Sequence, residues 1–390
     1  MKRLGEEKGV VLVIALLFLL VLGLLGMSAM NSTFYDNRIS GNKRISEQAF
    51  YAAEAGIQEL LGRFRQGATG EINDTDTLNP NWRRFIALDQ NQAAKVGYVS
   101  GPNHLFIQSL QTQLDFAVEL RHKVNIANAV VTKDWQPVYL VTSLGVTPEG
   151  GRKLIEAELN PHPSLNPGTA LYSERPVVLM GSSTYIQGKD ACGTNDVPGV
   201  GLTLPQVPTD PLTIHGSPTV QGTPPIQYDT RNRSLREMVD YLRKDANFNY
   251  AYGSNQTLTG MSDQWGIPSG SGTTTPLSYS GALNIVYFNM GGNKTLKLAG
   301  GSHGGGILLV DGNLEINGGF KWYGLVIATG TLDFTGGGEK NITGGVMTGE
   351  SATVEVDVGG NAAIINCSAV QSQLENRVTP VRMTRWREVY

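Results

Sequence analysis

The sequence predicts an α+β N-terminal module, a long helix packed on an antiparallel sheet, followed by a glycine-rich all-β domain. That second part reads as a β-solenoid, with a β-sandwich as the alternative architecture. Three observations carry the prediction. Val10 to Met30 form a run with no charged residue and only Ser28 polar. Three segments between Phe116 and Leu159 are rich in strand-forming residues. Of 48 glycines in 390 residues, 20 fall between Gly291 and Gly360, where short motifs recur eighteen residues apart.

Composition removes several function classes. Lys and Arg number 31 against 34 Asp and Glu, a formal net charge of −3. A nucleic-acid partner calls for a basic excess, so none is expected. Five histidines and two cysteines, without a CxxC or HExxH, leave little for a metal site. Gly291-Gly292-Asn293-Lys294-Thr295 has the composition of a phosphate-binding loop but not its spacing, and no GxSxG elbow occurs. No catalytic, cofactor-binding or metal-ligating residue is assigned.

Residues 1–9 form a short charged leader. At about 1.5 Å per residue the apolar run after it spans about 30 Å, the thickness of a bilayer core. It exceeds the usual length of a signal-peptide apolar region, and Met27-Ser28-Ala29-Met30 is a poor cleavage site. Beyond it, Ala49, Ala52, Ala53, Gly56, Ile57, Leu60 and Leu61 recur at the spacing of one helix face. One helix over 10–64 is expected, half apolar all round and half amphipathic, with Gly41-Asn42 as the place where an interruption would fall.

Residues 65–165 are expected to form the antiparallel sheet, with strands at Phe116–Leu120, Val138–Thr142 and Lys153–Leu159, the last two joined by the turn cluster Thr147-Pro148-Glu149-Gly150-Gly151. Asp74-Thr75-Asp76 begins like a calcium loop but lacks the later Gly and Glu, and reads as a solvated loop. Eleven of the 18 prolines lie between Pro161 and Pro225, the first of them marking a linker into the domain over 166–390. There Gly306-Ile307-Leu308-Leu309-Val310-Asp311-Gly312 matches Gly324-Leu325-Val326-Ile327-Ala328-Thr329-Gly330. Leu296-Lys297-Leu298, Leu314-Glu315-Ile316 and Leu332-Asp333-Phe334 are also eighteen apart, with Val354-Glu355-Val356 twenty-two further on. A period this short fits one coil of a solenoid. Each triplet sends two side chains inward, so Lys297, Glu315, Asp333 and Glu355 form an outward charge ladder. One helix is expected near 233–246, with Leu235, Met238, Val239 and Leu242 on its apolar face and Ser234/Glu237 as a capping box.

Lys8-Gly9 followed by Val10-Val11-Leu12-Val13-Ile14-Ala15-Leu16-Leu17 resembles the leader and helix start of a type IV prepilin. Gly26 to Met30, Arg38 to Asn42 and Ala49 to Ala55 resemble the N-terminal region of PilX-type minor pilins. The resemblance covers roughly residues 1–62 and makes residues 10–165 a pilin module. It implies that a prepilin peptidase cuts between Gly9 and Val10, that the prepilin sits in the inner membrane, and that it then joins other major and minor pilins in a filament at the cell surface. Val10 stands where major pilins have Phe, and Ile14 where they have a Glu that packs in the filament; Ile14 therefore implies a tip position. The resemblance also implies an oxidising compartment, where Cys192 and Cys367 are expected to pair, the alternative being two buried thiols.

The function expected is a minor pilin that primes pilus assembly and displays an adhesive domain to a surface or host receptor. One alternative is a tip pseudopilin of a type II secretion system. Another is a membrane-anchored carbohydrate-active enzyme using Asp311, Glu315 and Asp333. Glycoside chemistry needs two carboxylates about 5–10 Å apart in one cleft, whereas an outward column reads as a solvated charge ladder.

Overall fold

The computed structural model describes residues 7–65, 72, 74, 76–101, 103–107, 115–133, 136–231, 233–261, 264–272, 274–349, 352–354 and 360–389. A long N-terminal helix precedes a large β-rich body, and the chain divides into two units. The first comprises Met1–Lys123, Tyr139–Leu159 and Met383–Tyr390; the second comprises Val124–Val138 and Asn160–Arg382.

In the first unit, helix α1 runs unbroken from Glu7 to Arg65. The interruption expected at Gly41-Asn42 does not occur. A glycine costs a helix about 1 kcal/mol, too little by itself to break one already continuous on both sides. Residues 49, 52, 53, 56, 57 and 60 of the stripe read from the spacing are buried, and Leu61 is half-buried. They lie on a six-stranded sheet ordered His104–Ile107, Arg83–Ala87, Asp115–His122, Tyr139–Val146, Arg152–Pro161 and Val381–Val389. The three central pairings are antiparallel, and His104–Ile107 joins in parallel. A short helix α2, Gln90–Ala94, packs against Arg83–Ala87; its cap is the Asp89 side chain, which accepts from the Gln92 N–H at 2.8 Å.

Small residues set how closely α1 meets this sheet. A Cβ on Gly145 would lie 2.0 Å from the Ala49 carbonyl oxygen and 2.4 Å from the Ala53 nitrogen. From the helix side, a Cβ on Gly56 would meet Ser143 Oγ at 2.6 Å and Val118 at 2.8 Å. The Ser143 hydroxyl fills the gap by donating to the Ala53 carbonyl at 2.7 Å.

The edge strand corrects the boundary at 166. Residues 383–389 belong to the first unit's sheet, beside the strand that ends at Pro161. Arg387 bonds Glu156 at 2.5 Å, Lys153 pairs with Glu388, and Trp386 lies 6.0 Å from the Phe50 ring. The second unit is thus inserted between two neighbouring strands of one sheet. It also takes in residues 124–138, with the hairpin Thr132–Lys133/Gln136–Pro137.

In the second unit the chain alternates between two sheets in which, among the described residues, the strand pairings are all parallel. Gly306 stands opposite Gly324 and Gly324 opposite Gly344; Leu296, Leu314 and Leu332 stand in line on the other sheet. Lys297, Glu315 and Asp333 share a row. The fourth rung differs from expectation, because Asp333 faces Thr353. Glu355 lies outside the described residues. The connection before this rung is two residues longer than its predecessors, so the offset is twenty residues instead of the eighteen seen before it.

Side chains between the sheets, among them Phe288, Leu298, Ile316, Trp322 and Phe334, form the main core. Helix α3, Leu235–Leu242, turns its four predicted apolar residues onto the outer face of one sheet, and Ser234 Oγ accepts from the Glu237 N–H at 3.4 Å. A further helix absent from the sequence reading, α4, Ser368–Glu375, covers the same face through Val370 and Leu374. One rung is built from two distant segments: Gly360–Asn366 and Leu171–Ser173 both pair with Gly338–Thr348. Leu171–Ser173 thus continues, along Val346–Thr348, the rung that Gly360–Asn366 begins along Gly338–Gly344.

Gly145→Ala is expected to lower stability by about 1–3 kcal/mol, as overpacking does. Gly62→Ala, on α1 with nothing within 4 Å of the new Cβ, is expected to raise it by about 0.5–1 kcal/mol. Urea titration in detergent checks both, and equal effects would contradict the close helix–sheet contact.

Candidate functional site

The first half of α1 is apolar on every side and touches nothing else in its unit. From Val11 to Ser40 every residue is exposed, and no charged residue occurs between Gly9 and Asp36. A helix apolar all round is stable only when buried in lipid or among other apolar helices. It is long and apolar enough to cross a membrane. Gly9 and Val10 lie within the helix, and Ile14 is 51% exposed on this surface. The first polar contact along the segment is local, the Thr33 hydroxyl donating to the Ala29 carbonyl at 2.9 Å.

Below the helix, a polar cluster fastens the loop before Arg83 to the sheet. His122 Nε2 lies 2.7 Å from the Asp74 carboxylate, and Nδ1 lies 2.7 Å from the Asn79 carbonyl. The Tyr139 hydroxyl donates to the same carboxylate at 2.9 Å, and Trp82 stacks on the His122 ring at 4.8 Å. Burial alone would push the Asp74 carboxyl up, but the bonds from His122 and Tyr139 outweigh it and hold it below the usual carboxylate range. Burial, with the Asp74 charge beside it, pushes the Tyr139 phenol up, so it remains a donor. The sequence reading placed Asp74 in a solvated loop. Its side chain is only 7% exposed, because His122 and Tyr139 close over it from 48 and 65 residues away, which an isolated Asp-x-Asp does not reveal. With no nucleophile in this group, it holds structure.

In the second unit, Lys297 Nζ donates to Glu315 at 2.7 Å and the Thr335 hydroxyl donates to the same oxygen at 3.0 Å. Burial works against the Glu315 charge, but these bonds prevail and hold its carboxyl below the usual range. Asp333 stands one rung on. Asp311 lies on the other sheet, bonded to Arg236 at 3.3 Å and to the Thr329 hydroxyl at 3.0 Å. The three carboxylates are thus split between two sheets. Among the described residues no group of three His, Cys, Asp or Glu is placed to hold a metal.

Cys192 and Cys367 are joined by a disulfide, with Cα atoms 5.0 Å apart. It ties the 188–199 loop to the start of α4. Asp190 adds four bonds to the same junction, accepting from the N–H groups of Cys192, Asn195 and Ser368 and from the Ser368 hydroxyl. Nothing local in the sequence marks the role of Asp190, because Ser368, which supplies two of its four bonds, lies 178 residues away.

Residues 8–58 match a family model described as PilX N-terminal. The match covers most of the N-terminal helix, which is similar to that of the PilX-type minor pilins. A search of curated proteins finds no match. Among solved structures the chain is similar to the competence-associated pilin ComZ from Thermus thermophilus, at 13% identity over 88% of this chain and 98% of that one, with a TM-score of 0.29. At that score the likeness carries no argument about fold or function.

Asp74→Asn is expected to cost about 3 kcal/mol at pH 7, as breaking a buried pair does. Because the folded-state pKa is depressed, the wild-type advantage is full above about pH 4–5 and is lost as pH falls through the folded value. Glu315→Gln, in a pair whose side chains are 33% and 26% exposed, is expected to cost about 0–1 kcal/mol. Denaturation curves at pH 3 and pH 7 test both.

Proposed function

We propose that this chain is a minor pilin of a type IV pilus, placed at the filament tip, that primes assembly with other pilins and displays its second unit at the cell surface. The observation that carries the reading is the division of α1. One half is fixed to its own sheet by a small-residue stripe, and the other, apolar from Val11 to Met30 save for Ser28, is unoccupied by the chain itself. That exposed half suits lipid before assembly and neighbouring pilin helices after it. The second unit, with parallel rungs and a repeat of eighteen to twenty residues, reads as a β-solenoid. Its size exceeds what filament packing asks for, which supports a displayed and adhesive role.

On this reading the prepilin peptidase cuts between Gly9 and Val10, and N-terminal sequencing of protein from membranes is expected to begin at Val10. Retention of Met1, or a start near Ala29, would replace the pilin reading with an ordinary anchor or a cleaved signal.

Tip placement rests on Ile14. In the pilin family a glutamate at this place compensates the charged N-terminus of a neighbouring subunit, and an unpaired charge among apolar helices costs about 2–4 kcal/mol. A subunit with Ile14 offers no such carboxylate and fits poorly as a repeating member, whereas a tip subunit has no neighbour ahead of it. Epitope labels on intact filaments are expected at one end, and labels spaced along the shaft would refute the tip position. Ile14→Glu is expected to leave priming largely intact, read as the number of filaments per cell.

A further inference from the structure

One residue past the paired strands of the second unit, a polar row runs across successive rungs. Thr329, Gly349, Glu174, Thr203 and Thr230 each donate their backbone N–H to the strand before: to Val310, Ala328, Thr348, Ser173 and Leu202. Gly349 contributes no side chain to that row. Two cavities, of about 460 and 430 Å³, share Glu174 as a wall. Arg233, Ser234 and Arg236, at the start of α3, line the first; Arg175, Thr203 and Thr230 line the second.

Three buried oxygens here have no hydrogen-bond partner in the protein: Glu174 Oε1, Thr230 Oγ1 and Thr169 Oγ1. Thr169 and Thr230 sit together, since a Cβ on Gly201 would touch both. Buried polar atoms are nearly always paired, so three in one place need an explanation. Arg175 is exposed at the mouth beside Glu174. Arg233 lies over the Tyr172 ring and donates to the Ser164 carbonyl, while Arg236 is bonded to Asp311. Three guanidiniums therefore face two carboxyls.

The geometry points to a binding site in this cleft for an acidic saccharide, with Arg175 meeting its carboxylate and Glu174 and Thr230 meeting its hydroxyls. A guanidinium pairs with a carboxylate in a fixed fork, and a polyol supplies donors and acceptors at the spacing of successive rungs. Burial pushes the Glu174 carboxyl up to about 7, opposed by Arg175 and by a hydrogen bond from Tyr172. Below that pH Glu174 is a neutral donor; above it the ionised group repels an anionic ligand. Affinity is therefore tied to proton uptake at Glu174. The site does not depend on the filament reading and goes beyond it.

The test uses the full chain in detergent, titrated with glucuronate, glucose and inorganic phosphate at pH 6 and pH 8, with binding read by calorimetry or saturation-transfer NMR. Glucuronate stays ionised over this range. It is expected to bind at pH 6 at least tenfold more tightly than at pH 8, and more tightly than glucose or phosphate at either. Arg175→Ala, an exposed position that leaves the fold intact, is expected to weaken binding at least tenfold at pH 6. Glu174→Gln is expected to bind nearly equally at the two pH values. Glucose binding as well as glucuronate overturns the anionic part, and phosphate binding as well overturns the saccharide part. An unchanged Arg175→Ala, or a pH dependence that persists in Glu174→Gln, overturns the assignment of residues.

Discussion

Gly145 lies so close beneath α1 that a Cβ there would sit 2.0 Å from the Ala49 carbonyl, and much of the first unit follows from that contact. Backbone meets backbone through Ala49, Ala52, Ala53 and Gly56, so the lower half of the helix is held by packing and by one hydrogen bond from Ser143. The upper half then has no partner in its unit. A 59-residue helix anchored at one end keeps its apolar end presented, because each added turn continues a hydrogen-bond ladder already nucleated below.

The same kind of close approach orders the second unit. Gly306, Gly324 and Gly344 stand in register on successive rungs with φ between +121° and +145°. A Cβ on Gly324 would lie 1.8 Å from the Gly306 carbonyl oxygen, and one on Gly306 would lie 1.9 Å from that of Asn284. The column tolerates only glycine, on both conformational and steric grounds. It opens on Asn284 and closes on Asn366, next to the cysteine that binds the 188–199 loop to α4. Stack order differs from chain order there, since the rung with 360–366 is completed by 171–173. The disulfide and the four bonds to Asp190 hold the later of these segments to the loop that follows the earlier one.

Three carboxylates show how burial and partners decide what an acidic side chain does in this protein. Asp74 is buried yet ionised, because His122 and Tyr139 donate to it. Glu315 sits at the surface with Lys297 and Thr335, and contributes little. Glu174 is half-buried and one of its oxygens lacks a donor, so desolvation prevails and its carboxyl rises to about 7. The first fixes a loop, the second decorates a rung, and the third has chemistry left over for a ligand.

What the sequence determined by itself is what periodicity and local chemistry encode. The apolar run and the stripe from Ala49 to Leu60 specify α1 and its buried face, since a helix repeats every 3.6 residues whatever lies beside it. The strands at 116–120, 138–142 and 153–159, the capped helix from Leu235, and the eighteen-residue rows through Lys297 and Gly306 were legible on the same ground. The tertiary structure decided the rest. The edge strand Val381–Val389 has charged residues on both faces and no alternation to betray it, and it finds its sheet through partners more than 200 residues back. The rung offset at Thr353 depends on a connection whose length, not its composition, sets register. Asp74 and Asp190 owe their states in part to groups 48 and 178 residues away. Distances of that kind are fixed when the backbone closes on itself, and no window of sequence contains them.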